Sequence, residues 1–405
     1  MADLRIGVIG VDGRGKLARN AHKPNEGSVI VGGADVFDES LEKFQNWANG
    51  KGINNLFVTK DYHELLANPA IDAVFITSPD WLHEEHALAA LKAGKHVYLE
   101  KPMAISIEGC DKILNMAKET GSKLFLGHNM RHMTDIIKMK EILDSGVIGE
   151  IQAVWARHHI PYGGDAYFKD WHSEREFSTG LLLQKAAHDI DVIHWLAGSY
   201  GKTVVGMGKL SVYDKCERRG EDEKGNSGWS SSQWPPLEQK KMSPKIDVED
   251  HSMIMFQLNN GVQCSYVQCH YSPDSMRNFT FIGTKGRIEN IGLKVSTQVK
   301  ADNINSFCNS EIQVYTQRAG AELGPDITYK VKGVSGGHGG SDPKIVKEFI
   351  DFIKEGIQTN TSPVAARNSV AVGCLATESL RGDGGLKIIP DLNPELISYF
   401  DNNQR

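Results

Sequence analysis

The feature that most constrains this chain is the regular alternation, over its first 128 residues, of short apolar runs with helical patterns. Apolar runs occur at Leu4–Gly10, Ser28–Asp35, Asn55–Val58, Ala73–Thr77, His96–Leu99 and Lys123–Gly127. Segments with helical spacing separate them at Glu39–Ala48, His83–Ala93 and Glu108–Glu119. A strand that is apolar on both faces must be covered on both faces, which is the situation of a parallel strand with helices above and below. The alternation therefore predicts an α/β domain over residues 1–128, a doubly wound parallel sheet of the Rossmann type.

The pattern changes near Asn129. After a helix at Asp135–Asp144 come strands with period-two alternation joined by turn residues. Met253–Leu258 and Val262–Gln268 flank Asn259-Asn260-Gly261 and read as an antiparallel hairpin; Asn278–Ile282 and Arg287–Asn290 read as a second. Helical patterns return at Lys344–Lys354 and Arg367–Leu380. Residues 129–405 are thus expected to form an α+β domain with an open, mostly antiparallel sheet, and 405 residues suit two domains. The polar stretch 215–245, with Trp229 and Trp234 in it, reads as a long mobile or lid-like loop.

Composition narrows the function classes. With 40% hydrophobic and 24% charged residues the chain is a soluble globular type with a sizeable core. Lys plus Arg number 45 against 51 Asp plus Glu, and no basic stripe is present to neutralise a phosphate backbone, so nucleic acid is not an expected partner. No apolar stretch approaches the roughly 18 residues of a membrane helix. The chain enters its first strand almost at once, so no signal peptide is read there. The six cysteines are dispersed, with no C-x-x-C pair and no zinc spacing. A cytoplasmic protein with reduced thiols and no metal is expected.

Gly7-Val8-Ile9-Gly10-Val11-Asp12-Gly13-Arg14-Gly15 closes the first strand and opens a helix. A dinucleotide needs a tight turn here, a backbone that approaches its pyrophosphate, and N–H groups aimed at that anion. Gly10 and Gly15 stand at the first and third glycine positions, Asp12 holds the second, and Gly13 can take over the close approach. A carboxylate facing a pyrophosphate is unfavourable, so Asp12 is expected to point away or to pair with Arg14. Asp35 ends the next strand about 20 residues on, where it would accept the ribose hydroxyls. Val36 and Phe37 follow with no cation for a 2′-phosphate, which favours NAD over NADP. The alternative is an ordinary glycine turn with Asp35 as a helix cap.

Two further segments carry chemistry. Thr77-Ser78-Pro79-Asp80-Trp81-Leu82-His83 follows the fourth strand, and Glu100-Lys101-Pro102 lies at the carboxyl end of the fifth, the edge where ligands bind in such sheets. The second segment, Gly180–Asp191, contains Gln184, Lys185, His188 and Asp191; on a helix Gln184, His188, Asp191 and Trp195 share a face with Lys185 at its margin. Ala186, Ile190, Ile193 and Ala197 form the opposite, burial-competent face. Spacing alone leaves open that the polar residues are only a solvated face.

These segments resemble the Gfo/Idh/MocA family, the group of glucose–fructose oxidoreductase and inositol 2-dehydrogenase. The resemblance runs through the glycine turn, E-K-P, Gly127–Arg131, the H-x-x-D helix and the turn Thr284–Arg287. It implies a Rossmann domain binding NAD, with Ser78, Pro79, His83, Glu100 and Lys101 near the cofactor. It further implies Lys101 as the substrate-hydroxyl lysine, His188 as the acid/base histidine, and a C-terminal sheet that mediates homo-oligomers. Many members carry Asp four residues before the histidine; here that position is Gln184, with Lys185 beside it as a third catalytic candidate.

The chemistry suits these residues. Oxidation of a secondary alcohol needs a base for the hydroxyl proton, and histidine, with an ordinary pKa of about 6.5, holds a proton near neutrality. A lysine ammonium stabilises the developing alkoxide. Secondary substrate candidates are Arg131, Arg157 with His159 on one strand face, Gln184, Asp191, and His338 among four glycines. For the last segment the plain alternative is Asp342 capping a helix with Pro343 in its first turn. The expected function is hydride transfer from a sugar or glycoside hydroxyl to NAD, with C3 of a glycoside preferred. A redox-neutral glycosidase or lyase and a non-catalytic sensor are the competing readings.

Overall fold

The computed structural model describes residues 2–225, 228, 234–292, 295–296, 310–316, 324–332, 334 and 337–405. Trp229, Cys308 and Gly336 lie outside the described residues. The chain divides into two compact units, one of Met1–His132, Gly336–Val370 and Asp391–Arg405, the other of Met133–Ser335 and Ala371–Pro390.

In the first unit β1 (Leu4–Ile9), β2 (Ser28–Ala34), β3 (Phe57–Thr59), β4 (Ala73–Ile76), β5 (His96–Leu99) and β6 (Leu124–Leu126) form one sheet in the order β3-β2-β1-β4-β5-β6. Every pairing is parallel. Helices Asp38–Gly50, Tyr62–Ala67, His83–Lys92 and Ile107–Thr120 form the crossovers. The chain reverses direction of winding at β1, so the carboxyl ends of β1 and β4 flank the switch point where such sheets bind ligands.

The division expected at residue 128 holds only for the start of the chain. The helix Gly337–Glu355 contributes Ile345, Val346, Phe349 and Phe352 to the same core as Val8, Phe75, Tyr98 and Phe125. Phe349 stands edge-on to Phe75 and Tyr98 at 5.3 and 5.7 Å between ring centroids. At the far edge, the Gln404 amide donates to the Leu124 carbonyl and accepts from the Leu124 N–H, at 2.7 and 2.8 Å, so the last residues close the open edge of β6. A helical period shows that a segment has an apolar face; it carries no information on which sheet that face covers.

In the second unit the strands are β7 (Ile151–His159), β8 (Gly201–Lys209), β9 (His251–Leu258), β10 (Gln263–Cys269), β11 (Asp274–Gly283), β12 (Arg287–Gly292), β13 (Val295–Ser296), β14 (Ser310–Tyr315), β15 (Ile327–Val331) and β16 (Lys387–Ile388). Their order is β15-β14-β12-β11-β7-β10-β9-β8-β16, with β13 beside β11. Among the described strands of this unit only β7 and β10 pair in parallel; both hairpins expected from the sequence are present. The described parts of segment 215–245 are tied down: Met242 is buried with Ile160, Phe168 and Tyr213, and Arg219 donates to the Lys169 carbonyl at 3.0 Å.

Candidate active site

The first unit supplies a cradle for a dinucleotide. A Cβ on Gly15 would lie 2.0 Å from the Gly10 carbonyl oxygen, and one on Gly10, at φ +83°, would stand 3.0 Å from the Ser78 nitrogen. Both positions therefore require glycine, and the turn stays bare where a pyrophosphate approaches. The Thr77 hydroxyl donates to the Gly10 carbonyl at 2.7 Å and locks this turn to the loop after β4. Gly13 is left-handed at φ +53° with open space on its side-chain position, as a substitute for the missing second glycine requires. Asp35 accepts from the Val11 and Phe37 N–H groups, both at 3.1 Å, which fixes its carboxylate at the end of β2 beside the turn.

Other residues of this half have different duties from those expected. Asp12 pairs not with Arg14 but with Lys16 at 2.7 Å and Lys43 at 3.4 Å, and the Lys16 hydrogen bond above all holds its carboxyl at about 2. Arg14 instead spans Glu100 at 2.8 Å and Asp342 at 2.9 Å. Glu100 also accepts from the Tyr98 hydroxyl at 3.3 Å and the Lys101 N–H at 3.2 Å. Glu100 is thus turned into the protein as a partner of Arg14, while Lys101 stays partly open at the strand end.

His83 is buried and its two ring nitrogens meet the Pro102 and Ser78 carbonyls at 2.6 and 2.8 Å. It ties the loops after β4 and β5 together. His338 belongs to the same unit, at left-handed φ +50°, with its Nδ1 3.0 Å from Asp342 and 3.1 Å from Arg14. Asp342 is buried, which alone would raise its pKa, yet the His338 hydrogen bond and the Arg14 charge hold it below the carboxylate range. Arg131 is buried and donates to the Asn360 carbonyl at 2.5 Å, which ties it to the segment before the last long helix.

The second unit carries His188. The segment expected as one helix is two, Leu181–Gln184 and Ala186–Ala197, meeting at Lys185. The second is buried on nearly every face, with His188 only 8% exposed and Gln184 and Asp191 buried as well, so these polar residues are not a solvated face. Polar groups confined there must be engaged.

The anchor of this helix is Asp189, which is 0% exposed. It accepts from Arg277 Nε at 2.6 Å, the Tyr266 hydroxyl at 2.9 Å and His158 Nδ1 at 3.2 Å. Those donors stand on β11, β10 and β7, with His158 directly opposite Arg277 in the ladder. Burial alone would raise Asp189, but Arg277 and His158 hold it far below the usual carboxylate value. Burial first, then Arg277, pulls His158 down to about 3, so it donates as a neutral imidazole. Lys185 Nζ lies 5.5 Å from the Tyr167 ring centroid, a cation–π distance.

Strand parity corrects one expectation. His158 faces the helix, so Arg157 is exposed on the opposite face, where it aligns with Val267 and Met253. His159 shares that parity and lies 3.8 Å from Asp274. The residues missed by sequence reasoning are Arg277, Tyr266, Tyr167 and His270. His270 is fully buried, and neither ring nitrogen has a hydrogen-bond partner among the described residues.

The fold and the glycine cradle define a two-part architecture: a dinucleotide-binding Rossmann unit and an α/β unit. Residues 4–128 match the oxidoreductase family's NAD-binding Rossmann model and residues 140–388 its C-terminal alpha/beta model. The chain belongs to the Gfo/Idh/MocA oxidoreductase family. It is 28% identical over 220 residues to the myo-inositol 2-dehydrogenase of Thermotoga maritima, a match covering 54% of this chain and 62% of that one. It is 33% identical over 196 residues to an inositol 2-dehydrogenase/D-chiro-inositol 3-dehydrogenase of Halalkalibacterium halodurans, covering 48% and 52%. The matches thus span only between 52% and 62% of these relatives' lengths. Levoglucosan dehydrogenase, solved with NADH and levoglucosan, shares the fold at TM-score 0.73 and 20% identity, covering 96% of this chain and 100% of that one. No helix among the described residues is long and apolar enough to cross a membrane.

Proposed function

We propose that this protein is an NAD-dependent dehydrogenase that takes a hydride from a secondary hydroxyl carbon of a sugar or glycoside. The observation that carries this reading is the E-K-P turn, in which Glu100 is folded back onto Arg14 and Lys101 is left at the carboxyl end of β5. Such an edge is where parallel sheets bind ligands. The named activities of the inositol and levoglucosan relatives support a polyol or sugar substrate. When bound, NAD supplies the hydride acceptor; Gly10, Gly15 and Asp35 would hold it. Lys101 would stabilise the developing alkoxide electrostatically, and His188 would accept the hydroxyl proton.

The finer reading is a glycoside oxidised at C3, supported by the Gln184-Lys185 departure and the half-exposed Trp234. An absorbance screen at 340 nm with NAD over inositols, free sugars and glycosides tests it. Release of NADH supports net oxidation; cleavage without NADH release would favour the redox-neutral alternative. Lys101→Ala is expected to lower kcat by about 10²–10³-fold with NADH affinity little changed. Wild-type turnover in that variant would remove Lys101 from the reaction.

We also propose a homo-oligomer through the second unit's outer sheet face, in a cytoplasmic setting that suits the five free cysteines described. Trp155, Met207, Met253 and Met255 are exposed there, with Met207 opposite Met253 in the ladder. A patch of this kind marks an interface. Light scattering should report more than one chain per particle, and Met255→Lys should reduce that number; a monomeric wild type refutes it.

A further inference from the structure

We propose that Arg277 selects the substrate, and that it selects a sugar bearing a carboxylate. The inference rests on the reading of the chain as a sugar oxidoreductase. Arg277 stands on the inner sheet face against the helix of His188, and among the described residues Asp189 is the only side chain its guanidinium bonds. That bond uses Nε. Nη2 is buried and has no acceptor among the described residues, while 25% of the side chain remains open to solvent. A guanidinium carries five donors, and a buried donor left unpaired is costly.

Asp189 has no spare capacity to reach further, because its other oxygen already takes Tyr266 and His158. The surroundings favour an anion. Lys185, whose Nζ stands 5.5 Å from the Tyr167 ring centroid, is a second cation at the start of the helix of His188. His158 and His270 are both held neutral by burial and add no positive charge. Asp135 also senses Arg277 through space, but the hydrogen bonds it accepts come from backbone N–H groups. A guanidinium fixed by Nε presents its Nη edge as a planar pair of donors. A carboxylate offers the matching pair of acceptors, which a lone hydroxyl does not.

The test compares NAD-dependent oxidation of methyl glucuronide, methyl glucoside and glucose 6-phosphate by the full-length protein. The wild type should favour the glucuronide in kcat/KM by about 10–100-fold, and Arg277→Gln should bring the glucuronide-to-glucoside ratio close to one. Arg277→Lys, which keeps the charge and loses the fork, should lie between. If Arg277→Gln fails to fold, the double variant Arg277→Gln/Asp189→Asn removes the buried carboxylate charge with it. Equal wild-type rates on acid and neutral sugar, or a preference for the phosphate, overturn the proposal and leave the dehydrogenase reading intact. If no sugar is oxidised, the dehydrogenase reading fails. Calorimetric titration of glucuronate against glucose then decides for Arg277. A preference lost in Arg277→Gln sustains the proposal, and no preference overturns it.

Discussion

Replacing His188 with alanine is expected to slow alcohol oxidation by about 10²–10⁴-fold, the usual worth of a positioned general base. The helix turn that carries it is pinned by its neighbour Asp189, whose three hydrogen bonds do not involve the imidazole. The variant should therefore keep its fold and its NADH affinity while losing kcat. The loss should be smaller for ketone reduction at low pH, where solvent can supply the proton. Lys185→Ala sharpens the comparison: a lysine assisting at the substrate should shift the alkaline limb of the pH–rate profile, and one that serves only packing should leave the profile alone. Wild-type oxidation by His188→Ala would end the assignment.

The second large effect is on stability. Asp189→Ala removes the acceptor of three fixed donors and leaves Arg277 without its counter-ion, the situation in which breaking a buried pair costs about 3–5 kcal/mol. That is a large share of the roughly 5–15 kcal/mol that holds ordinary domains folded, and urea unfolding should show it as a lower midpoint. The pH dependence has a definite sign. Asp189 is depressed in the folded state, so its contribution is present above the unfolded value of about 3.9 and is lost as pH falls through the lower folded value. His158 acts earlier. Its folded value is about 3, against an unfolded value of about 6.5. Between those values the unfolded chain binds a proton that the folded chain refuses, and stability falls with falling pH. Thermal melts should show that decline in the wild type, and His158→Asn should flatten it; parallel curves would mean His158 is protonated in place.

The strands of the parallel sheet were legible because burial on both faces leaves an unbroken apolar run, and His96–Leu99 matches β5 residue for residue. The glycine turn was legible because Gly10 and Gly15 meet hard backbone limits that no other residue satisfies. The polar network was not. Asp189 and Arg277 are 88 positions apart and meet only through the register of β11 against β7. On β7 itself a period of two separates Arg157 from His158 but cannot say which faces inward. The same holds for Arg14, whose partners Glu100 and Asp342 come from two distant turns. Charge pairing at long range leaves no local signature, so a surface cation and a buried strut read alike.

The helix Gly337–Glu355 and the terminal Gln404 make the nucleotide-binding unit discontinuous along the gene's reading direction. On a ribosome the six parallel strands emerge first, but the aromatic side chains that seal one face follow about 200 residues later. At roughly 5–20 residues per second that delay is on the order of 10–40 s, spent with Val8, Phe75 and Tyr98 uncovered. That apolar face favours aggregation while it is uncovered, and a fragment ending at His132 should precipitate when expressed alone. Supplying residues 337–405 as a separate chain should rescue it.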